Sequence, residues 1–368
     1  MVYTVRSQKK QSVLLPIFLN RKGIAIMSRI ITFGEIMLRL NPESYLRFTQ
    51  SSKFEASYAG GEANVAVSLA NYGQDAAFVS KVPAHDIGQC AINALRQFGV
   101  DTSMILRGGD RLGVYFVEKG ASQRPSKVIY DRANSAIATA QASEFDWKTI
   151  FAGADWFHWT GITPALSSHM AQACLDACKA AKAMGLTVSC DLNYRNKLWP
   201  REEAGKCMAQ LLPYVDVCIA NEEDCKDVFG IEAEGADIAG GKLGYEGYVS
   251  VARQMAQRFG CRKVAITLRS SLSANDNDWA GMLYDAAADR AVISPTYHIH
   301  IVDRVGGGDS FGGGLIYSLI TGKNAQDAIN FAVAASCLKH SIEHDFNLVT
   351  VAEVENLAKG NASGRIQR

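Results

Sequence analysis

Apolar residues follow two alternating patterns along most of the chain. Short apolar runs rich in β-branched residues are typical of buried strands. Between these runs, apolar residues recur every three or four positions, which predicts helices with one buried face. The predicted strands cover 30–40, 76–81, 155–159, 186–190, 215–220, 263–268, 280–285, 291–294 and 297–302. Strands that alternate with helices predict an α/β fold built on a doubly wound, mostly parallel sheet.

Composition and charge are those of an ordinary globular protein. Of the 368 residues 48% are apolar, which is enough for a large core, and the formal net charge is +1. A nearly neutral chain gives no electrostatic sign of a nucleic acid or membrane partner, and no apolar run approaches the length of a membrane span. The nine cysteines are scattered without a Cys-x-x-Cys pair, so we expect a cytoplasmic protein with reduced thiols.

The two ends of the chain differ from the part between them. Residues 1–26 place basic side chains around a short apolar run that contains Pro16. A secretory signal peptide is one interpretation, but the run is short and lacks a small-x-small cleavage site. The other interpretation is an upstream mis-start or a disordered extension. We therefore expect an extension over 1–27, one folded domain over 28–360 and a tail over 361–368.

The most informative stretch is a glycine-rich turn at 302–314, between a predicted strand and a predicted helix. A helix start leaves unpaired backbone N–H groups and a positive dipole end, which suit an anion such as phosphate. Gly306, Gly307 and Gly308 would let that anion approach the main chain. Asp309 would repel the anion, unless its purpose is to accept a proton from an attacking hydroxyl. The alternative is a turn that only packs the helix on the strand.

The turn resembles a known motif. The pattern Asp303-x-x-Gly306-x-Gly308-Asp309 is similar to DTxGAGD, the C-terminal motif of the ribokinase-like (PfkB) carbohydrate kinases. Two positions differ, with Arg304 in place of Thr and Gly307 in place of Ala. The resemblance implies that Asp309 is the catalytic base and that the amides of the three glycines stabilise the transferring phosphoryl group.

A second stretch, from Gly60 to Asn64 (GGEAN), resembles the N-terminal sugar-binding motif of the same family. Two motifs in family order are far more specific than either one alone, and the likeness covers about 28–359. It implies a ribokinase-like fold with a small β-lid near 41–58 and 111–132. In the family this lid covers the sugar and often forms the contact of a homo-oligomer, so we expect a dimer through the lid or a larger assembly.

The run DLNYRNKLWP at 191–200 resembles the D-x-N-x-R-x-x-L-W run of the family branch that acts on 2-keto-3-deoxygluconate, as does Glu35 after the first strand. The likeness implies a small sugar acid as substrate. Arg132 and Arg195 would hold its carboxylate, a task that suits the planar guanidinium group. The other implied substrate-binding residues are Gly60, Gly61, Asn64, Tyr115 and Tyr130. Packing within the lid is the alternative role for the two tyrosines.

The resemblance further implies ATP and Mg²⁺ as cofactors, and it leaves a requirement for a monovalent cation open. The family motif NxxE, which orders Mg²⁺ through water, corresponds to 221–224, where Asp224 replaces Glu. The alternative for Asn221 is an ordinary helix N-cap. Residues implied to contact the nucleotide are Asn193, Asn221, Thr267, Arg269, Gly306, Gly308 and Asn330. Arg269 stands where the family often has Gly, which leaves the geometry of that nucleotide loop open.

Competing nucleotide motifs are missing from the sequence. There is no GxxxxGK[ST] loop, no HRD or DFG motif and no dinucleotide fingerprint at the glycine-rich turn. The leading hypothesis is therefore ATP-dependent phosphorylation of 2-keto-3-deoxygluconate to its 6-phosphate. A fructokinase or another neutral-sugar kinase of the family is the alternative. A catalytically inactive sugar-binding regulator is a third hypothesis: retention of Asp309 argues against it, whereas Arg269 and Asp224 keep it open.

Overall fold

A computed structural model of the chain describes residues 27–233 and 244–361. The strands in these residues are β1 (Arg29–Phe33), β2 (Met37–Asn41), β3 (Glu55–Ala59), β4 (Asp75–Val82), β5 (Ile105–Arg107), β6 (Gly113–Glu118), β7 (Lys127–Asp131), β8 (Trp156–Thr160), β9 (Thr187–Asp191), β10 (Val217–Ala220), β11 (Lys263–Ser271), β12 (Asp276–Asp285), β13 (Arg290–Ile293) and β14 (Tyr297–His300). The α-helices are α1 (Gly61–Asn71), α2 (Asp86–Arg96), α3 (Trp147–Ile150), α4 (Ile162–Ala165), α5 (Ser168–Ala183), α6 (Arg201–Leu211), α7 (Glu222–Phe229), α8 (Tyr245–Phe259), α9 (Gly307–Ile320), α10 (Ala325–Lys339) and α11 (Val351–Ala358).

The larger of the two sheets runs in the order β13-β12-β11-β10-β9-β8-β1-β4-β5, and β14 pairs with β12. All pairings from β11 to β5 are parallel, whereas β12 is antiparallel to β11, β13 and β14. One apolar cluster includes buried residues of α5, α6 and α8, and a second includes α1, α9 and α10. The predicted doubly wound, mostly parallel α/β fold is thereby confirmed.

The smaller sheet is the predicted lid, with strand order β3-β2-β6-β7. The prediction of one strand over 30–40, interrupted at Gly34, was wrong in one respect. Its second half, β2, pairs with β3 and β6 in the lid and leaves the main sheet. Gly34 lies at this break, and a Cβ atom there would stand 2.1 Å from a Glu62 carboxylate oxygen, so glycine is needed where the end of β1 meets α1. The other strand at this end of the lid, β3, overlaps the segment near 41–58 that the family resemblance, though not its polar composition, assigned to the lid.

Helix α1 is fixed to the main sheet by a buried carboxylate. Glu62 Oε1 accepts hydrogen bonds from the Thr160 backbone N–H at 3.0 Å, the Thr160 hydroxyl at 2.8 Å and the Thr163 hydroxyl at 2.6 Å. Burial raises the pKa of Glu62 to about 7, against the opposing effect of these hydrogen bonds. These contacts join the start of α1 to the end of β8, so residues 60–64 are held at the carboxyl edge of the sheet.

The predicted extension, apart from Met27, and all of the tail except Asn361 lie outside the described residues. None of the helices in the described ranges is long and apolar enough to cross a membrane. Cys174 and Cys178 on α5 are both fully enclosed by the core, which suits small apolar side chains rather than a metal site.

A chain that starts at Met27 should fold and keep full activity, because the composition of residues 1–26 is unlike that of the rest of the chain and β1 begins only two residues after Met27. The measurement is the thermal unfolding midpoint and the specific activity of the shortened and full-length chains. Insoluble or inactive shortened protein would show that the first 26 residues belong to the fold.

Candidate active site

A cavity of about 610 Å³ lies at the carboxyl edge of the parallel strands and is bounded on another side by the lid. Ligands of open α/β sheets bind at this edge. The cavity brings together nearly all residues that the sequence pointed to: Gly60, Gly61, Asn64, Tyr115, Tyr130, Arg132, Asn193, Arg195, Asn221, Asp224, Thr267, Arg269, Gly306, Gly307, Gly308 and Asp309. Asn330 is not among the lining residues. It lies on α10, where its side chain accepts a hydrogen bond from Gln326 at 2.9 Å.

The glycine-rich turn ends in the N-terminus of α9, as predicted. Gly306 has φ +83°, and a Cβ atom there would stand 2.1 Å from the Asp345 carbonyl oxygen, so only glycine fits. A Cβ atom on Gly307 would stand 2.5 Å from the His340 ring. Gly308 is exposed, with nothing within 4 Å of a Cβ position. The first two glycines therefore permit close packing, and the third leaves the helix N-terminus open to an anion.

Asp309 faces this opening, half-buried in the first turn of α9. Asn64 Nδ2 donates a hydrogen bond to Asp309 Oδ2 at 2.6 Å, and Asn64 Oδ1 accepts one from the Gly60 backbone N–H at 3.4 Å. The two sequence motifs, 245 residues apart, therefore meet through one amide side chain. Burial raises the pKa of Asp309 to about 6, against the opposing effect of the Asn64 hydrogen bond. A carboxylate with such a pKa suits general base catalysis near neutral pH.

Gly60 and Gly61 bring the start of α1 close to the site. A Cβ atom on Gly60 would stand 1.8 Å from the Glu35 carbonyl oxygen, so close approach of two backbone segments requires this glycine. A Cβ atom on Gly61 would stand 3.6 Å from Asp309 Oδ1. Gly61 therefore borders Asp309 Oδ1, and its lack of a side chain keeps bulk away from that oxygen.

Among the other carboxylates that line the same cavity as Asp309 are those of Asp191 and Asp224. Burial raises the pKa of Asp191 well above its usual range, and the charges of Asp224 and Asp309 add to this effect. Burial also raises the pKa of Asp224 to about 6. The positive charge of Arg195 opposes the rise at all three groups. Asp191 was not predicted as a site residue, although its position at the end of a buried strand was an available signal.

Asn221 and Asp224 form the predicted helix cap. Asn221 Oδ1 accepts a hydrogen bond from the Asp224 backbone N–H at 2.7 Å, and Asp224 Oδ1 accepts one from the Tyr194 backbone N–H at 3.2 Å. The capping alternative is thus confirmed, and both side chains still face the cavity. In the described ranges, no three His, Cys, Asp or Glu side chains form a cluster that could hold a metal ion by themselves. Mg²⁺ commonly completes its shell with water and substrate phosphates, which fits carboxylates placed singly around the cavity.

Arg132 has a different environment from the one the sequence suggested. Its Nε donates to Glu35 Oε2 at 2.8 Å, and its Nη2 binds the same oxygen. The Ser135 hydroxyl donates to Glu35 Oε1 at 2.5 Å. The charge of Arg132 is therefore neutralised by Glu35, and only part of the guanidinium group is left for a ligand. The local sequence could not show this pairing, because the two residues lie 97 positions apart.

Arg195, in contrast, is exposed at the mouth of the cavity. Its Nη1 donates to the Tyr194 carbonyl oxygen at 3.1 Å, and no carboxylate in the described ranges lies within ion-pair distance. Tyr115 is buried, donates its hydroxyl to Asp345 Oδ2 at 2.8 Å and stacks on Tyr130 with ring centroids 5.9 Å apart. Lid packing therefore accounts for much of what the two tyrosines do. Arg195 is the arginine with charge to offer a ligand at this end of the cavity.

The sequence and the fold both match proteins of known class. The family model "pfkB family carbohydrate kinase" matches residues 27–341. A crystal structure of 2-dehydro-3-deoxygluconokinase from Thermotoga maritima is 49% identical, covers 91% of this chain and 99% of its own, and superposes with a TM-score of 0.87. The 2-dehydro-3-deoxygalactonokinase of Haloferax volcanii is 32% identical over 92% of this chain and 98% of its own length. The 2-dehydro-3-deoxygluconokinase of Bacillus subtilis is 30% identical over 84% and 88%.

A lidded α/β sheet with a glycine turn and a carboxylate at its edge defines a phosphotransferase of the ribokinase-like class. The chain belongs to the pfkB family of carbohydrate kinases. It is therefore an enzyme that phosphorylates a carbohydrate, and the inactive-regulator hypothesis is not supported.

Proposed function

We propose that the protein transfers the γ-phosphoryl group of ATP to the terminal hydroxyl of 2-keto-3-deoxygluconate, giving the 6-phosphate. The observation that carries the proposal is the arrangement of Asp309, the open helix N-terminus at Gly308 and the unpaired Arg195 around one cavity. These three features supply a base, an anion site and a positive charge for a carboxylate. The likeness to relatives named for ketodeoxy sugar acids supports the same substrate class.

The proposed reaction follows from the surroundings of Asp309. Oδ2 accepts the Asn64 hydrogen bond, so Oδ1 is the oxygen that takes the hydroxyl proton. The hydroxyl oxygen that loses this proton forms a bond to the γ-phosphorus, the bond from phosphorus to the β,γ-bridging oxygen breaks, and ADP leaves with that electron pair. Backbone N–H groups at the start of α9 stabilise the charge on the transferring group.

The nucleotide and Mg²⁺ would occupy the part of the cavity lined by β11 and α7. Thr267 and Arg269 lie on the same face of β11, because side chains alternate along a strand. Asn193 has a positive φ of +41° and a buried Oδ1 without a hydrogen-bond partner. When bound, Mg²⁺ would neutralise phosphate charge, with Asn221 and Asp224 holding it through water. Roles for Asn330 and a monovalent cation stay predictions.

The rate should fall on the acid side because Asp309 must be ionised to act as base. Burial raises the pKa of this carboxyl to about 6, so its active form is lost as the pH drops through that value. We expect kcat/KM for the sugar acid to be constant at pH 7–8 and to fall about tenfold per pH unit well below 6. A pH–rate profile with saturating MgATP measures this. An acid limb centred near pH 4 would contradict the assigned environment of Asp309.

The direct test is an ATP-consumption assay with purified protein and a panel of acceptors. The panel contains 2-keto-3-deoxygluconate, 2-keto-3-deoxygalactonate, gluconate, fructose and ribose. We expect the highest kcat/KM with 2-keto-3-deoxygluconate, and ³¹P NMR of the product should show a phosphate monoester at its terminal carbon. The galactonate epimer is included because the Haloferax volcanii relative carries that name. Preference for fructose would replace the proposal with the fructokinase alternative.

The cellular setting is part of the proposal. We place the enzyme in the cytoplasm, acting on a small molecule rather than on nucleic acid or membrane, and forming a homo-oligomer through the lid. Ile129 and Tyr130 on the outer lid strand are 43% and 41% exposed, which supports a contact surface there.

A further inference from the structure

Arg304 is the second residue of the glycine-rich motif and stands where the family motif usually has Thr. It is half-buried and lines the cavity beside Gly306 and Arg269. Its Nη2 donates a hydrogen bond to the Ala274 carbonyl oxygen at 2.8 Å, in the connection between β11 and β12, and its Nε is buried without a partner. The guanidinium group is therefore anchored at one corner, with bonding capacity left over.

Two carboxylates at the turn or against it, those of Asp303 and Asp345, are already bonded to other groups. Asp303 Oδ1 accepts from the Val305 backbone N–H at 3.1 Å, and its Oδ2 accepts from Arg39 Nη2 at 2.5 Å. Asp345 binds Arg39 with Oδ1 at 2.6 Å and Tyr115 with Oδ2 at 2.8 Å. Across residues 27–233 and 244–361, neither Arg304 nor Arg269 forms an ion pair with an acidic side chain.

The fold thus holds two unpaired guanidinium groups on the same cavity. Burial and repulsion by the positive charge of Arg269 both lower the pKa of Arg304, against the opposing effect of the nearby Asp303 carboxylate. The open N-terminus of α9, with its own positive dipole end, lies at the same turn. These three positive features, one of them the exposed Arg269, line one cavity and attract an anion, and a triphosphate has the charge and the oxygens to join them.

We infer that Arg304 and Arg269, together with the backbone amides of the glycine-rich turn, form a clamp on the polyphosphate of the nucleotide. The inference rests on the proposed kinase function and adds a phosphate-binding residue at a position where the family motif has a hydroxyl side chain. Each guanidinium group can donate two parallel hydrogen bonds to phosphate oxygens. Their charge would also offset the negative charge of the phosphoryl group during transfer.

The test is equilibrium binding of nucleotides in the absence of sugar. A non-hydrolysable ATP analogue with Mg²⁺ and AMP are titrated calorimetrically into the parent and into Arg304→Thr, Arg304→Lys and Arg269→Ala. We expect Arg304→Thr to weaken analogue binding by about 10- to 100-fold and to leave AMP binding within about twofold, since AMP lacks the outer phosphates. Arg304→Lys should recover part of the loss. Arg290→Ala, an exposed arginine on β13 outside the cavity, serves as the matched control and should bind both nucleotides like the parent.

Steady-state kinetics distinguish a phosphate clamp from a sugar-binding or purely structural role of Arg304. The clamp predicts a raised KM for ATP and an unchanged KM for the sugar acid in Arg304→Thr. Unchanged analogue binding would overturn the inference, and so would a selective loss of sugar acid binding, which would place Arg304 on the substrate carboxylate. An equal loss of AMP and analogue binding with a lowered unfolding midpoint in both Arg304 variants would make the residue structural. A parent protein that binds no ATP analogue would instead refute the proposed function itself.

Discussion

Replacement of Asp309 by asparagine should lower kcat by about 10²- to 10⁴-fold, with the KM values for ATP and sugar acid nearly unchanged. The amide cannot accept the hydroxyl proton, yet it has the same shape and can still pair with Asn64, whose Nδ2 now donates to Asp309 Oδ2 at 2.6 Å. The measurement is a steady-state rate with both substrates saturating. A variant within about tenfold of the parent rate would remove Asp309 from the role of base.

The same variant should not lose stability. Burial raises the pKa of Asp309 to about 6 in the folded chain, above the usual value near 4, so the ionised form is the one that folding disfavours. The ionised group therefore opposes folding fully above pH 6, and this penalty is lost as the pH falls from about 6 towards the usual value near 4. A neutral Asn removes that opposition, and we expect an unfolding midpoint at pH 7.5 equal to or above that of the parent. Asp110→Asn, an exposed residue outside the cavity, is the control for both rate and midpoint.

The catalytic turn was predictable because its chemistry is local. Three glycines and an aspartate at a strand-to-helix junction indicate an anion beside a base, and the positive φ of Gly306 with its contact to Asp345 shows why glycine is needed there. Fold class was predictable for a similar reason, since buried strands and amphipathic helices carry their periods in short windows. The boundaries of the elements were harder to predict, because β2 continues the apolar run of β1 in the sequence but belongs to the lid.

The contacts that tie the lid to the site could not be predicted, because they join residues far apart in the sequence. Arg39 on β2 is fully buried and pairs with Asp303 and Asp345, which lie 264 and 306 positions away. Nothing near Arg39 in the sequence indicates a buried charge. Removing one member of such a pair typically costs about 3–5 kcal/mol, because the partner is left buried and unpaired. The pairing of Glu35 with Arg132 also joins residues far apart in the sequence. It leaves Arg195, rather than Arg132, to bind the carboxylate of the substrate.

Arg195→Ala should raise the KM for 2-keto-3-deoxygluconate strongly while it leaves the KM for ATP almost unchanged. Arg195 has no acidic partner within ion-pair distance in the described chain, whereas the charge of Arg132 is neutralised by Glu35. A bound sugar acid would desolvate Arg195, and truncation of such a charge pair costs ~2–5 kcal/mol. The exposure of Arg195 in the free protein places our expectation at the lower end of that range. Lys197→Ala, an exposed cation in the same loop that does not line the cavity, is the matched control.

The Arg195→Ala variant should also change the pH dependence of the rate, and a loss of local structure would not produce this change. The charge of Arg195 lowers the pKa of Asp309, so its removal should raise that pKa and move the acid limb of kcat/KM to higher pH. The measurement is a pH–rate profile of parent and variant with the sugar acid and with fructose. The carboxylate role predicts that the variant loses activity toward the acid far more than toward the neutral sugar. Equal losses with both substrates, or a parent that prefers fructose, would contradict that role and favour the fructokinase alternative.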